Sequence, residues 1–285
     1  RLIFKNMSEY YKCLRYIREK KIKVNKKKYD FSKLLCETKV TALLRFFHIK
    51  EIQPVGWLVL KKGLYTALND TESGKSSKCQ LEYKIHYNDV EGIDKTDIGQ
   101  FKTLSYDIEC TSIDGTFPNP QRAGDEVIQI GTTISIFGKP EIYKYIATLK
   151  KCDPIEGVLV EEFKNERDLI IGWCRFVRKV DPDIITGYNI WGFDWKYIYE
   201  RALSGNGKTT RPYWTRLFET LSRVENVSYN KKYVTGIKYV EKELQSSALG
   251  QNFLRYIDIE GIVQVDLFKV IQKDYNLNSY KLDNV

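Results

Sequence analysis

From residue 101 onward the apolar residues change their period, and that switch constrains the fold more than any other feature of the chain. Thr103–Cys110, Val127–Phe137 and Glu141–Leu149 alternate apolar and polar residues, the pattern of strands with one buried face. Gly138-Lys139-Pro140 is short enough to join two of them as antiparallel neighbours, and Gly131 is a candidate bulge. Glu161–Val180 then places Leu169, Ile170, Trp173, Phe176 and Val177 on one helical face, with Asn165 as a candidate cap and Asp181-Pro182 as the stop. Asp183–Thr186 reads as a short strand, Gly187 opens a turn, and Asp194–Ala202 reads as a second helix. Three antiparallel strands followed by helix, strand and helix predict an α/β layered domain beginning near Phe101.

The first hundred residues read differently. Residues 7–20 carry Met7, Tyr10, Tyr11, Leu14 and Ile17 at helical spacing, whereas Lys39–Leu60, broken at Pro54-Val55-Gly56, reads as strands around a turn. Residues 67–79 read as a polar loop. A β-rich N-terminal domain over residues 1–100 is therefore expected before the domain at 101–285. The formal charge of +9 sits in this first part: residues 1–50 hold 15 Lys/Arg against 4 Asp/Glu, and the remainder 31 against 33. Runs such as Lys20-Lys21-Ile22-Lys23 and Lys26-Lys27-Lys28 fit a patch that neutralises phosphates, or equally a solvated face. The 6 cysteines are scattered and only 2 histidines are present, so no zinc site is expected and a reduced, intracellular setting is the simplest reading. No apolar run is long enough to span a bilayer, and no secretory leader precedes the chain. A first residue other than Met suggests a piece of a longer protein.

The chemistry is carried by acids. In Tyr106-Asp107-Ile108-Glu109 the two carboxylates lie two residues apart and share one face of a strand. Side by side they repel unless a cation lies between them, and oxygen-only ligands suit Mg²⁺ or Mn²⁺. Asp194 ends Gly187-Tyr188-Asn189-Ile190-Trp191-Gly192-Phe193-Asp194 at the start of a helix, where negative charge is favoured. Three such carboxylates could hold two metal ions roughly 3.5–4 Å apart, as nucleases do. An Asp-x-Glu on a strand also fits a plain solvent-facing pair, and Asp194 a plain helix cap. Asp258-Ile259-Glu260 repeats the pattern but runs into Gly261, so it reads as a loop rim. Asp266 reads as a helix cap or as a residue supporting the acids, Trp195 as buried against the sheet, Trp191 as buried or base-stacking, and Phe193 as core.

Gly-Tyr-Asn-x-x-x-Phe-Asp at 187–194, downstream of Tyr-Asp-Ile-Glu at 106–109, resembles the second and first exonuclease motifs of B-family DNA polymerases. Gly115–Pro120, Asp125–Gly131, Asp181–Ile185, Leu244–Gly250, Gly261–Leu267, Gln272–Tyr275 and Asn278–Leu282 follow in the family's order. Upstream, Leu44–Lys50 and Val55-Gly56-Trp57 resemble its N-terminal domain, with the δ-type and large-DNA-virus enzymes fitting best. The resemblance implies an RNase H-like exonuclease fold, a mixed sheet flanked by helices, with proofreading 3′–5′ cleavage by two Mg²⁺ or Mn²⁺ ions. Asp107, Glu109 and Asp194 would be the metal ligands and catalytic acids, and Asn189, Tyr188 and Phe193 would contact the 3′-terminal nucleotide. The partners implied are primer–template DNA, a single-stranded 3′ end, a processivity factor, and deoxynucleotides through a polymerase domain beyond Val285. A third motif, Tyr-x-x-x-Asp, is expected there too, so the piece alone would be inactive. The location implied is the nucleus or a viral replication compartment. A stand-alone exonuclease and a catalytically silent scaffold are the competing readings.

Overall fold

The computed structural model describes residues 4–20, 22–36, 38, 40–69, 74–204, 216–224, 239–246 and 250–285. Lys21 of the basic run, Lys39, residues 70–73 of the polar loop and residues 247–249 of the Leu244–Gly250 segment lie outside them. The chain divides into two compact units, one of residues 1–67 and 83–96, the other of 68–82 and 97–285.

In the first unit α1 (Met7–Glu19) starts where the Asn6 side chain accepts the N–H of Glu9. A hairpin of β1 (Ile22–Val24) and β2 (Lys27–Tyr29) follows. It turns at Asn25 and Lys26, both left-handed with φ of 48° and 66°, a pair that matches the twist of the flanking strands. Residues 42–50 are a helix, α2 (Ala42–Lys50), where the sequence suggested a strand. The Thr41 hydroxyl caps it by accepting the N–H of Leu44 at 3.2 Å, and that local bond decides against the β-like composition of Leu-Leu-Arg-Phe-Phe. Of the remaining strands, β3 (Trp57–Leu60), β4 (Tyr65–Leu68), β5 (Glu82–Ile85) and β6 (Val90–Ile93), the outer two pair with each other and the inner two likewise. The unit thus mixes two helices with short ladders.

The second unit is built on a six-stranded mixed sheet. Its first three strands, β7 (Lys102–Cys110), β8 (Val127–Ile136) and β9 (Ile142–Leu149), are antiparallel neighbours. Next comes β10 (Val158–Phe163), parallel to β9 at the sheet edge. Helix α3 (Glu166–Val180) therefore begins after residue 163 rather than at Glu161; the Asn165 side chain caps it by accepting the N–H of Asp168. The chain continues through β11 (Ile184–Gly187), α4 (Asp194–Ser204), α5 (Arg216–Leu221), the hairpin β12 (Tyr239–Ser246) and β13 (Gly250–Ile257), β14 (Val263–Asp266) and α6 (Leu267–Asp274). The sheet order is β10-β9-β8-β7-β11-β14, with β11 parallel to both β7 and β14. The register shift in β7–β8 falls between Glu109 and Cys110, not at Gly131, which pairs squarely with Asp107.

Apolar residues of β7, β8, α3 and α4 close over one another: Leu104, Tyr106, Ile130, Leu169, Trp173, Trp195 and Ile198 are all buried. Tyr106, Trp173 and Trp195 form an aromatic cluster with centroids 4.9–5.9 Å apart, and the Trp173 indole N–H donates to the Thr132 hydroxyl at 3.1 Å. Residues 68–82 join this unit, not the first as the 100/101 division implied. Ser77 bridges to Val224, and the N–H of Lys78 donates to the Arg223 carbonyl at 2.7 Å. Arg223 in turn pairs with Asp181 and Asp183 at 2.7 and 3.0 Å. Among the described residues no helix is long and apolar enough to cross a membrane.

At Gly187 strand β11 runs so close to β7 that a Cβ there would lie 2.5 Å from the Tyr106 carbonyl oxygen and 2.5 Å from Ile190. A backbone oxygen cannot swing aside, so Gly187→Ala is expected to cost about 3 kcal/mol in denaturant unfolding, at the upper end for overpacking. A loss under about 1 kcal/mol would show that the two strands can part freely.

Candidate active site

On β7 the period-2 pattern is realised: Tyr106 and Ile108 are buried while Asp107 and Glu109 face outward. Strand β11 pairs with β7 only as far as Ser105. Beyond that point the N–H of Ile108, between the two acids, is taken by Asp194 Oδ1 at 3.2 Å. The first residue of α4 is thereby tied to the strand that carries Asp107 and Glu109. Asp194 is 2% exposed. Burial first, and the neighbouring charge of Asp107 second, push its carboxyl well above the usual carboxylate range.

The turn between β11 and α4 is held from two sides. Asn189 is left-handed, φ 62°, a region that Asn tolerates better than most residues. Its carbonyl accepts the N–H groups of Gly192 and Phe193 at 2.9 and 3.0 Å. Asp266, fully buried at the end of β14, accepts the N–H of Asn189 at 2.8 Å and of Trp191 at 3.0 Å. The same carboxylate caps α6 by accepting the N–H of Phe268 at 3.0 Å. Burial raises its pKa, against the three N–H bonds that favour the ionised form. Asp266 is therefore both the cap and the support that the sequence offered as alternatives.

These elements surround a cleft of about 960 Å³. Asp107, Glu109, Asp194, Tyr188, Asn189 and Phe193, the residues singled out from the sequence, all line it. Phe117, 75% exposed on the loop after β7, stands edge-on to Phe193 with centroids 5.4 Å apart. That loop is folded around buried Asp125, which accepts the N–H groups of Asn119 and Ile113 at 2.8 and 2.9 Å; those bonds hold its carboxyl below the usual range. Opposite, the Tyr188 hydroxyl donates to the Tyr280 carbonyl, bringing residues 280–282 to the rim. Trp195 is buried, Trp191 is half-buried beside Tyr256 at 5.6 Å, and Asp258-Ile259-Glu260 lies in a loop. The sequence reading passed over Phe117, Lys281 and a buried ion pair of Arg201 with Glu166, 2.5 Å apart. For Phe117 the only available signal was its place in the Gly115–Pro120 segment.

Among the described residues no ion pair reaches Asp107, Glu109 or Asp194, and no three His, Cys, Asp or Glu side chains converge closely enough to hold an ion as they stand. Asp107 and Asp194 line the same cleft, close enough for the charge of Asp107 to act on Asp194, and Glu109 lines it too. Neighbouring carboxyls with no basic side chain paired to them among the described residues are a donor set that fits a hard divalent ion.

Residues 35–285 match the model of the family described as DNA polymerase family B, exonuclease domain. The chain is 33% identical over 306 residues to a DNA polymerase of Acanthamoeba polyphaga mimivirus, covering 87% of this chain and 17% of that protein. It is 36% identical over 259 residues to the DNA polymerase delta catalytic subunit of Glycine max, covering 88% and 22% respectively. A DNA polymerase of Pyramimonas orientalis virus matches at 29% identity over 419 residues, covering 100% of this chain and 33% of that protein. The chain belongs to the exonuclease-domain family of the family B DNA polymerases. It spans about a third or less of the length of these curated relatives.

Proposed function

We propose that the chain is the N-terminal and 3′–5′ exonuclease region of a DNA-directed DNA polymerase that proofreads its own product. The second unit would be an RNase H-like exonuclease domain, and the first unit the polymerase's N-terminal domain. The observation that carries the reading is the buried Asp194 carboxyl set near Asp107, with no basic side chain paired to either among the described residues, in the cleft that also holds Glu109. Asp107 and Asp194, with Glu109, would hold Mg²⁺ or Mn²⁺, which supplies the Lewis acidity for in-line hydrolysis of the last phosphodiester. The protein's part is placement. Phe117 and Phe193 offer aromatic faces for an unpaired base, a contact worth about 1–3 kcal/mol per base. Asn189, locked by Asp266, presents its amide to the terminal nucleotide. Tyr188, fixed against Phe268 and Tyr280, walls the far side. The substrate is thus a frayed, single-stranded 3′ end. Primer extension, deoxynucleotide use, a processivity factor and a replication compartment in the nucleus or a viral factory belong to the same proposal for the whole protein.

The test is Asp107→Ala with Glu109→Ala in the intact polymerase. Divalent-dependent removal of a 3′-mismatched nucleotide is expected to vanish while primer extension is retained, both read on one end-labelled substrate. Trimming at the original rate would leave the domain as a scaffold without chemistry.

A further inference from the structure

Three basic side chains line the cleft, and two are already engaged. Arg122 contacts Asp114 and lies 3.5 Å from Asp125, and Lys196 lies 3.7 Å from Glu200 one helical turn on. Lys281 is different: its side chain is exposed and makes no hydrogen bond or ion pair among the described residues. Its backbone, in contrast, is held closely. The Tyr188 hydroxyl donates to the carbonyl of Tyr280, the Tyr280 hydroxyl donates to the Tyr275 carbonyl at 2.8 Å, and the N–H of Lys281 donates to the Ser279 hydroxyl at 3.3 Å. The Tyr280 ring packs edge-on to Phe268, itself edge-on to Tyr188. A cation with an ordered base and an unengaged head thus stands on the wall of a cleft otherwise marked by three carboxylates.

Such a cleft repels a polyanion unless something other than the acids attracts it. A divalent ion held by Asp107 and Asp194 would offset the charge of the phosphate being cleaved; the phosphates further along the strand need a cation of their own, set back from the acids. We infer that Lys281 is a substrate-positioning residue that engages a backbone phosphate of the single strand whose 3′ end lies at Asp107 and Asp194. This rests on the exonuclease reading above. The bond is a single charge-assisted contact, so it adds affinity without sequence preference.

The experiment is equilibrium binding of a 5′-fluorescein oligothymidylate with a free 3′ hydroxyl to the intact polymerase, in calcium, across a series of salt concentrations. Each phosphate neutralised on a single strand adds about 0.7 to the slope of log K against log salt, which amounts to about fivefold in affinity at 0.1 M. Lys281→Ala is therefore expected to bind about fivefold more weakly at 0.1 M salt with a slope shallower by about 0.7. Lys281→Arg should restore both, and Lys144→Ala, exposed on β9 outside the cleft, should change neither. Unchanged affinity in Lys281→Ala, or weaker binding at an unchanged slope, overturns the assignment of Lys281 and leaves the exonuclease reading standing. A wild-type intact polymerase that does not hold the oligonucleotide overturns both.

Discussion

Asp194→Asn is expected to abolish 3′ trimming by the intact polymerase while leaving the cation-free domain at least as stable as before. The asparagine keeps an oxygen at the place of Oδ1, so the N–H of Ile108 retains its acceptor. What it removes is a buried carboxyl that burial and the Asp107 charge force to stay protonated, at a cost that grows above the ordinary carboxylate pKa. Chemically the loss is large. A metal ligand supplies several kcal/mol of transition-state stabilisation, and about 4 kcal/mol corresponds to a rate loss on the order of 10³-fold. Structurally the change relieves that cost, and a gain of about 0.5–2 kcal/mol in EDTA is the usual size for such a site. Two measurements check it: single-turnover trimming, and the thermal midpoint of the wild-type and variant chains with EDTA and with Mg²⁺. Mg²⁺ should raise the wild-type midpoint and leave the variant's nearly unmoved. A variant that melts well below wild type in EDTA would mean that the Asp194 charge supports the fold instead of opposing it. The same logic fixes a pH dependence. The folded-state pKa of Asp194 lies above its unfolded value, so its contribution to stability is fully present in acid below the ordinary carboxylate pKa. It is lost as pH rises through the raised value, and divalent ions should cancel that loss.

Arg201→Ala should cost about 3–5 kcal/mol, the largest stability effect expected of a single polar residue in this chain. The guanidinium of Arg201, on α4, pairs with Glu166 at the start of α3 at 2.5 and 2.8 Å, and both side chains are nearly buried. Glu166 also accepts the N–H of Val127 at the start of β8. The same guanidinium donates to the carbonyls of Pro120 and Arg122 at 3.2 and 2.8 Å, in the loop that carries Phe117. Removing the arginine strands a buried carboxylate and releases that loop together, whereas Arg201→Met with Glu166→Leu removes both charges and should recover much of the stability. Chemical denaturation of the two variants gives the comparison. Equal losses would mean that the pair itself, not the stranded charge, sets the cost. The double variant should still trim poorly, because the loop carbonyls at 120 and 122 remain unheld.

Local order was legible from the residues wherever the reason for it was local. The alternation of Thr103–Cys110 set Asp107 and Glu109 on one face of a strand, and Asn165 and Asp266 stand at the helix starts where their side chains suggested. The Gly-Tyr-Asn turn brings Asp194 to a helix terminus, and the second Asp-x-Glu falls in a loop. The misreadings share a cause as well. Val158–Phe163 is a strand because it pairs with β9, a partner that its own pattern does not announce, and so Glu161–Phe163 blended into the helix that follows. Thr41 capped a segment whose apolar and aromatic residues suit a strand equally well. Phe117, Lys281 and the Arg201–Glu166 pair carry no period at all.

By itself the sequence determined the family, most of the strands and helices around the cleft, and which acids are candidates for the chemistry, since each is written in residues within a turn or a strand of one another. Only the tertiary structure decided that Asp194 is buried near Asp107, that Asp266 grips the turn from 77 residues away, and that Lys281 reaches the rim because Tyr280, 92 residues beyond Tyr188, is tied to it through its carbonyl. Those contacts join groups far apart in the chain. Their energies come from burial and from hydrogen bonds that exist only once the sheet has brought β7, β11 and β14 side by side.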